Sequence, residues 1–325
     1  MLYPLKFIPI YRSKIWGGDK LRTIFGKDFS PLTNCGESWE LSGVPGNTSV
    51  VSYGPLKNNS LEELIEIYMD ELVGYKIFEK FATEFPLLIK FIDANDILSI
   101  QVHPDDELSK LRHKAFGKTE MWYILNADEN AEIITGFNQK IDKNTYLQHL
   151  RNKTLKDILN IEKAHADDVL FIPAGRIHSI GSGIFLAEIQ QTSDITYRIY
   201  DWERKDEEGN ERELHTELAV DAIDFSFHVE YKTKYQSKLN ASSEIVNCKY
   251  FTTNILIFDR QVERDYYFID SFVIYICIKG SFKIFYDNNK FEIVKAGETV
   301  LIPAILKNLS LIPEETTKLL EIFIK

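Results

Sequence analysis

A repeat constrains this chain more than any other feature. Asp167-Asp168-Val169-Leu170-Phe171-Ile172-Pro173-Ala174 is matched by Gly297-Glu298-Thr299-Val300-Leu301-Ile302-Pro303-Ala304. Upstream of the first copy lies MWYILNADENAEIITG, and upstream of the second VIYICIKGSFKIFYD. A repeated set of strands implies two copies of one β unit. Short apolar runs broken by turn residues continue through LKFIPI, IWGG, SWELSG and TSVVSYG, and from about Lys249 nearly all of the chain reads this way. The expected class is therefore mainly β, with two jelly-roll barrels. The first barrel is enlarged by helices at about 60–74, 104–116 and 141–161. Residues 1–240 are expected to form this larger domain and 241–325 a smaller, plainer one. Ser60 and Glu63 are spaced as a capping box at the head of SLEELIEIYMDELVG, and Gly74 is placed to stop that helix. Pro104 with Asp105 and Asp106 reads as the first turn of a short helix closed by Gly117, and the helical spacing of 141–161 explains why the first copy is longer.

Composition sharpens what the chain can do. Its 21 Phe and 16 Tyr favour sheets over helical bundles. Its 38 basic and 49 acidic side chains leave a net charge of −11, which argues against nucleic acid or an anionic membrane surface as the main partner. No run of about 18 apolar residues is present, so no membrane span is expected. The opening MLYPLKFIPIYRSKIWGG lacks the pattern of a secretory signal. Cys35, Cys248 and Cys277 are odd in number and widely spaced, as in a reducing cytoplasm without a disulfide framework. A cytoplasmic monomer or homodimer is expected.

The repeat also separates chemistry from scaffold. Five residues after Pro173 stands His178, whereas five after Pro303 stands Asn308; where the first copy has Glu120, the second has an apolar residue near Phe272. Gln101 and His103, two apart on a strand, project from one face. Gln101, His103, Glu120 and His178 thus form a candidate metal site in the mouth of the first barrel. Two imidazoles, a carboxylate and an amide oxygen suit a borderline divalent ion, most naturally one Zn²⁺ per chain. A lone strand histidine is usually just a satisfied side chain; four compatible residues, with a degenerate second copy as control, reverse that prior. His113, His149, His165, His215 and His228 lack such company and read as surface residues. Lys118, Arg198 and Arg204 follow the same strands, and basic groups beside a metal suit an anionic substrate rich in oxygen. Trp16-Gly17-Gly18 and Glu37-Ser38-Trp39-Glu40 give an aromatic and acidic rim suited to a sugar, with Trp16 and Glu40 as candidate substrate contacts, although Trp39 fits a core equally well. ERKDEEGNERE (203–213) reads as an exposed charged loop.

SIQVHPDD, KTEMWYIL, FIPAGRIHSI and EIQQTSDITYRIYDW, together with the early SKIWGG and GESWELSG, resemble the motif set of the type I phosphomannose isomerases, in particular their compact bacterial branch. The resemblance runs over nearly the whole chain and implies a cupin fold and reversible conversion of mannose 6-phosphate to fructose 6-phosphate. It implies the same four zinc ligands, Gln101, His103, Glu120 and His178. Lys118 and Arg198 match active-site positions of the family. Ser99 and Arg204 match positions linked to the substrate phosphate, with arginine here where longer members carry lysine. Glu188 and Asp194 match acidic positions assigned to proton transfer. Two other readings compete: a different metal-dependent cupin enzyme, such as an Fe²⁺ oxygenase, and a non-enzymatic cupin that binds sugar. Gln101 in place of a third histidine and the phosphate-suited basic residues disfavour the first; the complete constellation disfavours the second.

Overall fold

The structure, a computed structural model, describes residues 2–205, 208–287 and 290–325. It is mainly β, as the strand rhythm predicts, and consistent with the cupin-type architecture expected. Two compact units share the chain. One is formed by Tyr11–Ser38 and Ile89–Thr233; the other by the residues up to Ile10 with Trp39–Leu88 and Lys234–Lys325. Three of the four boundaries fall inside the first three strands, β1 (Ile10–Arg12), β2 (Glu37–Ser42) and β3 (Leu87–Ala94), and the fourth follows Thr233.

In the first unit the chain continues through β4 (Ile100–Val102), β5 (Glu120–Ala127), β6 (Glu132–Phe137), β7 (Leu159–Lys163), β8 (Val169–Ile172), β9 (His178–Ile180), β10 (Ile184–Gln191) and β11 (Tyr197–Tyr200). Strands β3, β10, β5 and β8 are successive neighbours in one sheet, and β11, β4, β9, β6 and β7 form the other. Alternation along the strands sorts the side chains. Trp122, Ile124, Leu170, Ile172, Ile133 and Ile180 meet in one buried cluster, which also takes in Trp16. Ile100, Val102, Tyr197 and Ile199 belong to a second cluster with Tyr146 and Ala219. Those last two come from α5 (Lys143–Arg151) and α6 (Thr216–Ala222), which follow α1 (Lys20–Phe25), α2 (Leu61–Val73), α3 (Tyr75–Phe81) and α4 (Asp106–His113) in the chain. Among the described residues no helix is long and apolar enough to cross a membrane.

The expected insertions are realised with different edges. Ser60 accepts from the Glu63 amide, and the Glu63 carboxylate accepts from the Ser60 amide at 2.7 Å, so the capping box forms and Gly74 follows the helix. In α4 the N-cap is Asp105, which accepts from the Leu108 amide, and Lys114 supplies the left-handed C-cap in place of Gly117. Gly117 serves a different end: a Cβ there would lie 2.5 Å from the Asp106 nitrogen, so only glycine lets the chain pass the head of α4. The 141–161 segment is helical only to Arg151. It then makes a short 3-10 turn (Leu155–Ile158) and pairs as β7 along β6, because the sheet edge offers hydrogen bonds that local spacing does not reveal.

The second unit carries β12 (Ala241–Asn247), β13 (Thr252–Phe258), β14 (Val262–Asp265), β15 (Val273–Lys279), β16 (Ser281–Asp287), β17 (Lys290–Lys295), β18 (Thr299–Ile302), β19 (Asn308–Pro313) and β20 (Thr317–Phe323). Its two sheets, β12-β13-β20-β15-β18 and β14-β19-β16-β17, hold a core that includes Leu256, Tyr275, Phe282, Val300 and Leu319. The division at 240/241 is not the one these units draw. Leu5 and Leu301 exchange two backbone hydrogen bonds of 2.8 Å, the Leu72 carbonyl accepts from Ala304, and the Val73 carbonyl accepts from Phe272. These pairings between distant stretches attach the N-terminal segment and α2 to the C-terminal strands.

Asp93 on β3 is fully buried; its Oδ2 accepts from the Lys20 amide at 2.6 Å, while Oδ1 has no hydrogen-bond partner. Burial pushes its carboxyl up to about 6, against the opposing pull of the Lys20 amide. A folded-state value above the unfolded one means that the stabilising contribution is present below about pH 4 and is lost as pH rises through about 6. Asp93→Asn should flatten this dependence. Between pH 4 and 8 the wild type should lose roughly 2–3 kcal/mol relative to the variant. Parallel stability profiles from denaturant unfolding would contradict the assignment.

Candidate metal centre

Three neighbouring strands bring the site residues onto one face. Arg198 on β11 is opposite Gln101 on β4, and Gln101 is in turn opposite His178 on β9. Directly opposed residues of antiparallel strands project to the same side, so the row Arg198, Gln101, His178 is fixed by register. His103 follows β4, and Glu120 begins β5 in the other sheet. His103, Glu120 and His178 are each about 1% exposed, and one ligand atom from each lies within 4.8 Å of the others.

The two imidazoles are oriented from behind. Nδ1 of His103 donates to the Ile195 carbonyl at 2.9 Å, and Nδ1 of His178 donates to the Arg176 carbonyl at 2.8 Å. Both Nε2 atoms therefore carry their lone pairs inward when the rings are neutral. Neutrality is favoured: burial, reinforced by Lys118, lowers His178 to about 3 and holds His103 well below the usual histidine range. Each Nε2 stands 3.5 Å from a Glu120 oxygen. Glu120 Oε1 is buried without a hydrogen-bond partner. A buried carboxylate oxygen and two inward lone pairs are the donor set of a divalent cation. The Gln101 amide donates to His178 Nε2 at 3.2 Å, and half a turn about its last bond presents the amide oxygen instead. The residues fit a metal ion.

Lys118 closes the group from the other side. Its Nζ donates to His103 Nε2 at 3.0 Å and to Glu120 Oε2 at 2.6 Å, and stands 3.8 Å from Glu188. Burial disfavours its charge, but Glu120 and Glu188 outweigh that and raise its pKa. Glu188, buried on β10, is raised by burial and by Glu120. The backbone of Lys118 is held by the Pro104 carbonyl, and the Thr119 amide donates to Gln191, whose own amide reaches Asp106. The loop from His103 to Thr119 is thus tied at both ends.

The remaining candidates divide. Ser99 is buried and its hydroxyl donates to Gln101 at 3.4 Å, while Arg204 donates to the Ile97 carbonyl and to Asp201. Arg198 is half-buried; one Nη donates to the Glu213 carbonyl at 2.8 Å, and its Nε has no partner. Asp194 is exposed in the turn before β11. Trp16 lies in the apolar cluster with Ile92 and Trp122, which accounts for it as core. Trp39 packs with Val44 and Leu88, and Glu40 is buried on the part of β2 that belongs to the second unit. Sequence reasoning missed three neighbours. Lys90, buried on β3 and 3.8 Å from Glu188, had a legible signal in a lysine set within the apolar FPLLIKFIDA. His215, read as a surface residue, accepts from the Arg198 amide at 3.1 Å. Arg212 was hidden in a run read as solvated charge.

Residues 4–160 match the family model for the catalytic domain of type I phosphomannose isomerase. The chain is 41% identical to the mannose-6-phosphate isomerase of Streptococcus mutans over 69% of its own length and 68% of that protein. It is 36% identical to a mannose-6-phosphate isomerase of Bacillus subtilis, over 77% and 78% of the two chains. The crystal structure of mannose 6-phosphate isomerase from Bacillus subtilis superposes with a TM-score of 0.88 over 99% of each chain, at 31% identity. Fold and relatives agree, and the chain belongs to the type I phosphomannose isomerases, a family of enzymes.

Proposed function

We propose that this protein is a zinc-dependent isomerase that interconverts mannose 6-phosphate and fructose 6-phosphate through an enediolate. The observation that carries the reading is the convergence of His103, Glu120 and His178 beside Gln101, with Arg198 in register on the adjoining strand. The relatives' names supply the substrate. Gln101, His103, Glu120 and His178 hold the ion, which when bound supplies Lewis-acid polarisation of the substrate oxygens.

The residues of the chain divide the remaining work. Ser99 and Arg204 hold the phosphate. Arg198 offers donors to the negative charge that develops on the C1 and C2 oxygens, the kind of electrostatic stabilisation that usually dominates. Lys118 with Glu188 moves the proton between C1 and C2. Their mutual distance of 3.8 Å suits exchange after a small shift of either side chain. Asp194, exposed before β11, is the second acidic candidate for the proton transfer, whereas Trp16, packed in the core, and Glu40, buried in the other unit, take no part in holding the sugar. The enzyme works in the cytoplasm, as a monomer or homodimer.

A coupled assay of mannose 6-phosphate conversion tests the reading directly. Chelation should abolish turnover and zinc should restore it; zinc binding without turnover of the untreated protein would overturn the isomerase proposal. Glu120→Ala should lose bound metal, weakening affinity by more than about a hundredfold, together with activity. Unchanged metal stoichiometry by atomic absorption would remove Glu120 from the ligand set. Arg198→Ala should lower kcat by roughly 10²–10³-fold with metal retained, whereas an unchanged kcat would exclude it from the reaction.

A further inference from the structure

The turn after β11 gathers more positive charge than Arg204 alone. Asp201 accepts from Arg212 through both Nε, at 2.7 Å, and Nη2, and from Arg204 Nη2 at 2.7 Å. One buried carboxylate thus holds the Arg212 guanidinium in a two-nitrogen fork and takes one further bond from Arg204. The turn is fastened beside Ser99: Trp202 Nε1 donates to the Leu98 carbonyl at 2.7 Å, and Arg204 Nη1 donates to that of Ile97. Arg198, three residues before Asp201, lies in the field of both Arg204 and Arg212. Three arginines share this turn with Asp201, with Asp96, 3.6 Å from Arg204 and half exposed, and with Glu213 beside Arg198. Moreover, Nε of Arg204 is a buried donor without a partner. Donors left unsatisfied in a cationic cluster call for an oxyanion acceptor.

We infer that Arg212 is a second phosphate-binding guanidinium of this site and that Asp201 is the positioning residue that presents Arg204 and Arg212 together. The ligand class is a phosphate monoester dianion, and the inference rests on the sugar-phosphate reading above. Asp201 fixes the two guanidinium groups relative to each other for the incoming dianion. Arg212 comes to the site from eight positions beyond Arg204, through a loop whose composition reads as solvated charge.

Steady-state kinetics on the zinc-loaded enzyme, paired with calorimetric titration of inorganic phosphate, test this. Arg212→Gln should raise KM for mannose 6-phosphate by about tenfold or more while kcat falls by less than about threefold, and should weaken phosphate binding in parallel. Arg212→Lys, which keeps charge without the fork, should fall between the two. Asp201→Asn should raise KM and should add little in combination with Arg212→Gln. Unchanged KM and phosphate affinity in Arg212→Gln, or a loss confined to kcat, would overturn the inference and leave Arg212 as a structural clamp. If Arg212→Gln does not fold, Arg212→Lys with wild-type KM and phosphate affinity would overturn it equally. Absence of turnover in the wild type would instead defeat the isomerase reading, and phosphate titration of the two proteins would still decide the role of Arg212.

Discussion

The contact between Glu120 and Lys118, made out of reach of water, governs the rest of this structure. Both side chains are at most 5% exposed, and two imidazoles and a second carboxylate lie within 4 Å of one or the other. Burying such a group costs several kcal/mol per charge unless partners compensate. The sheets provide the compensation through geometry. Register sets Gln101 against His178, backbone carbonyls turn both rings inward, and the tied loop from His103 to Thr119 places Lys118. Even so, Glu120 Oε1 is left without a donor. A cluster with more acceptors than donors is a poor way to stabilise a fold and a good way to bind a cation.

Strand register makes the second unit an internal control. Glu120 pairs with Ile172, and Val273 pairs with Ile302, so the carboxylate of the candidate metal centre is replaced by valine. Gln101 pairs with His178, and Asp265 pairs with Asn308; His103, two residues on, becomes exposed Tyr267. All four candidate ligand positions are altered while the strand pairing is kept. The pairing belongs to the fold, and the ligands belong to the chemistry of one copy.

How much of this was legible in the sequence depended on the range of the interaction that decides each feature. Gln101 and His103 could be placed on one face because a strand has period two, and the α2 capping box could be read because it spans three residues. The repeat exposed the degenerate ligand positions before any pairing was known. The short helices α1, α3 and α6 carry too few turns for a periodic signal. β7 is a strand because β6 is beside it, and α2 belongs with the C-terminal strands because Ala304 and Phe272 donate to its last turn. Arg212 looked like solvated charge because its partner Asp201 lies eleven residues earlier, across a turn. Trp16 looked like a sugar platform because an indole at a glycine-rich turn serves equally as core, and only packing decides.

A last comparison separates a scaffold network from a site. By the same register, Glu188 opposite Trp122 corresponds to Glu321 opposite Tyr275. Both carboxylates are buried. Glu321 is enclosed by donors: Ser242 and Asn254 reach one oxygen, Arg264 and Tyr266 the other, and Tyr266 hydrogen-bonds Tyr275 in turn. Such a network is complete and has nothing left to offer a ligand. Glu188 faces Lys118 and Lys90 at 3.8 Å, longer than a direct hydrogen bond, beside a carboxylate that burial leaves short of donors. Two copies of one strand arrangement thus hold the same acidic residue in opposite conditions. Where its oxygens are saturated the carboxylate is part of the scaffold, and where its contacts are loose, burial and the neighbouring Glu120 hold its pKa up.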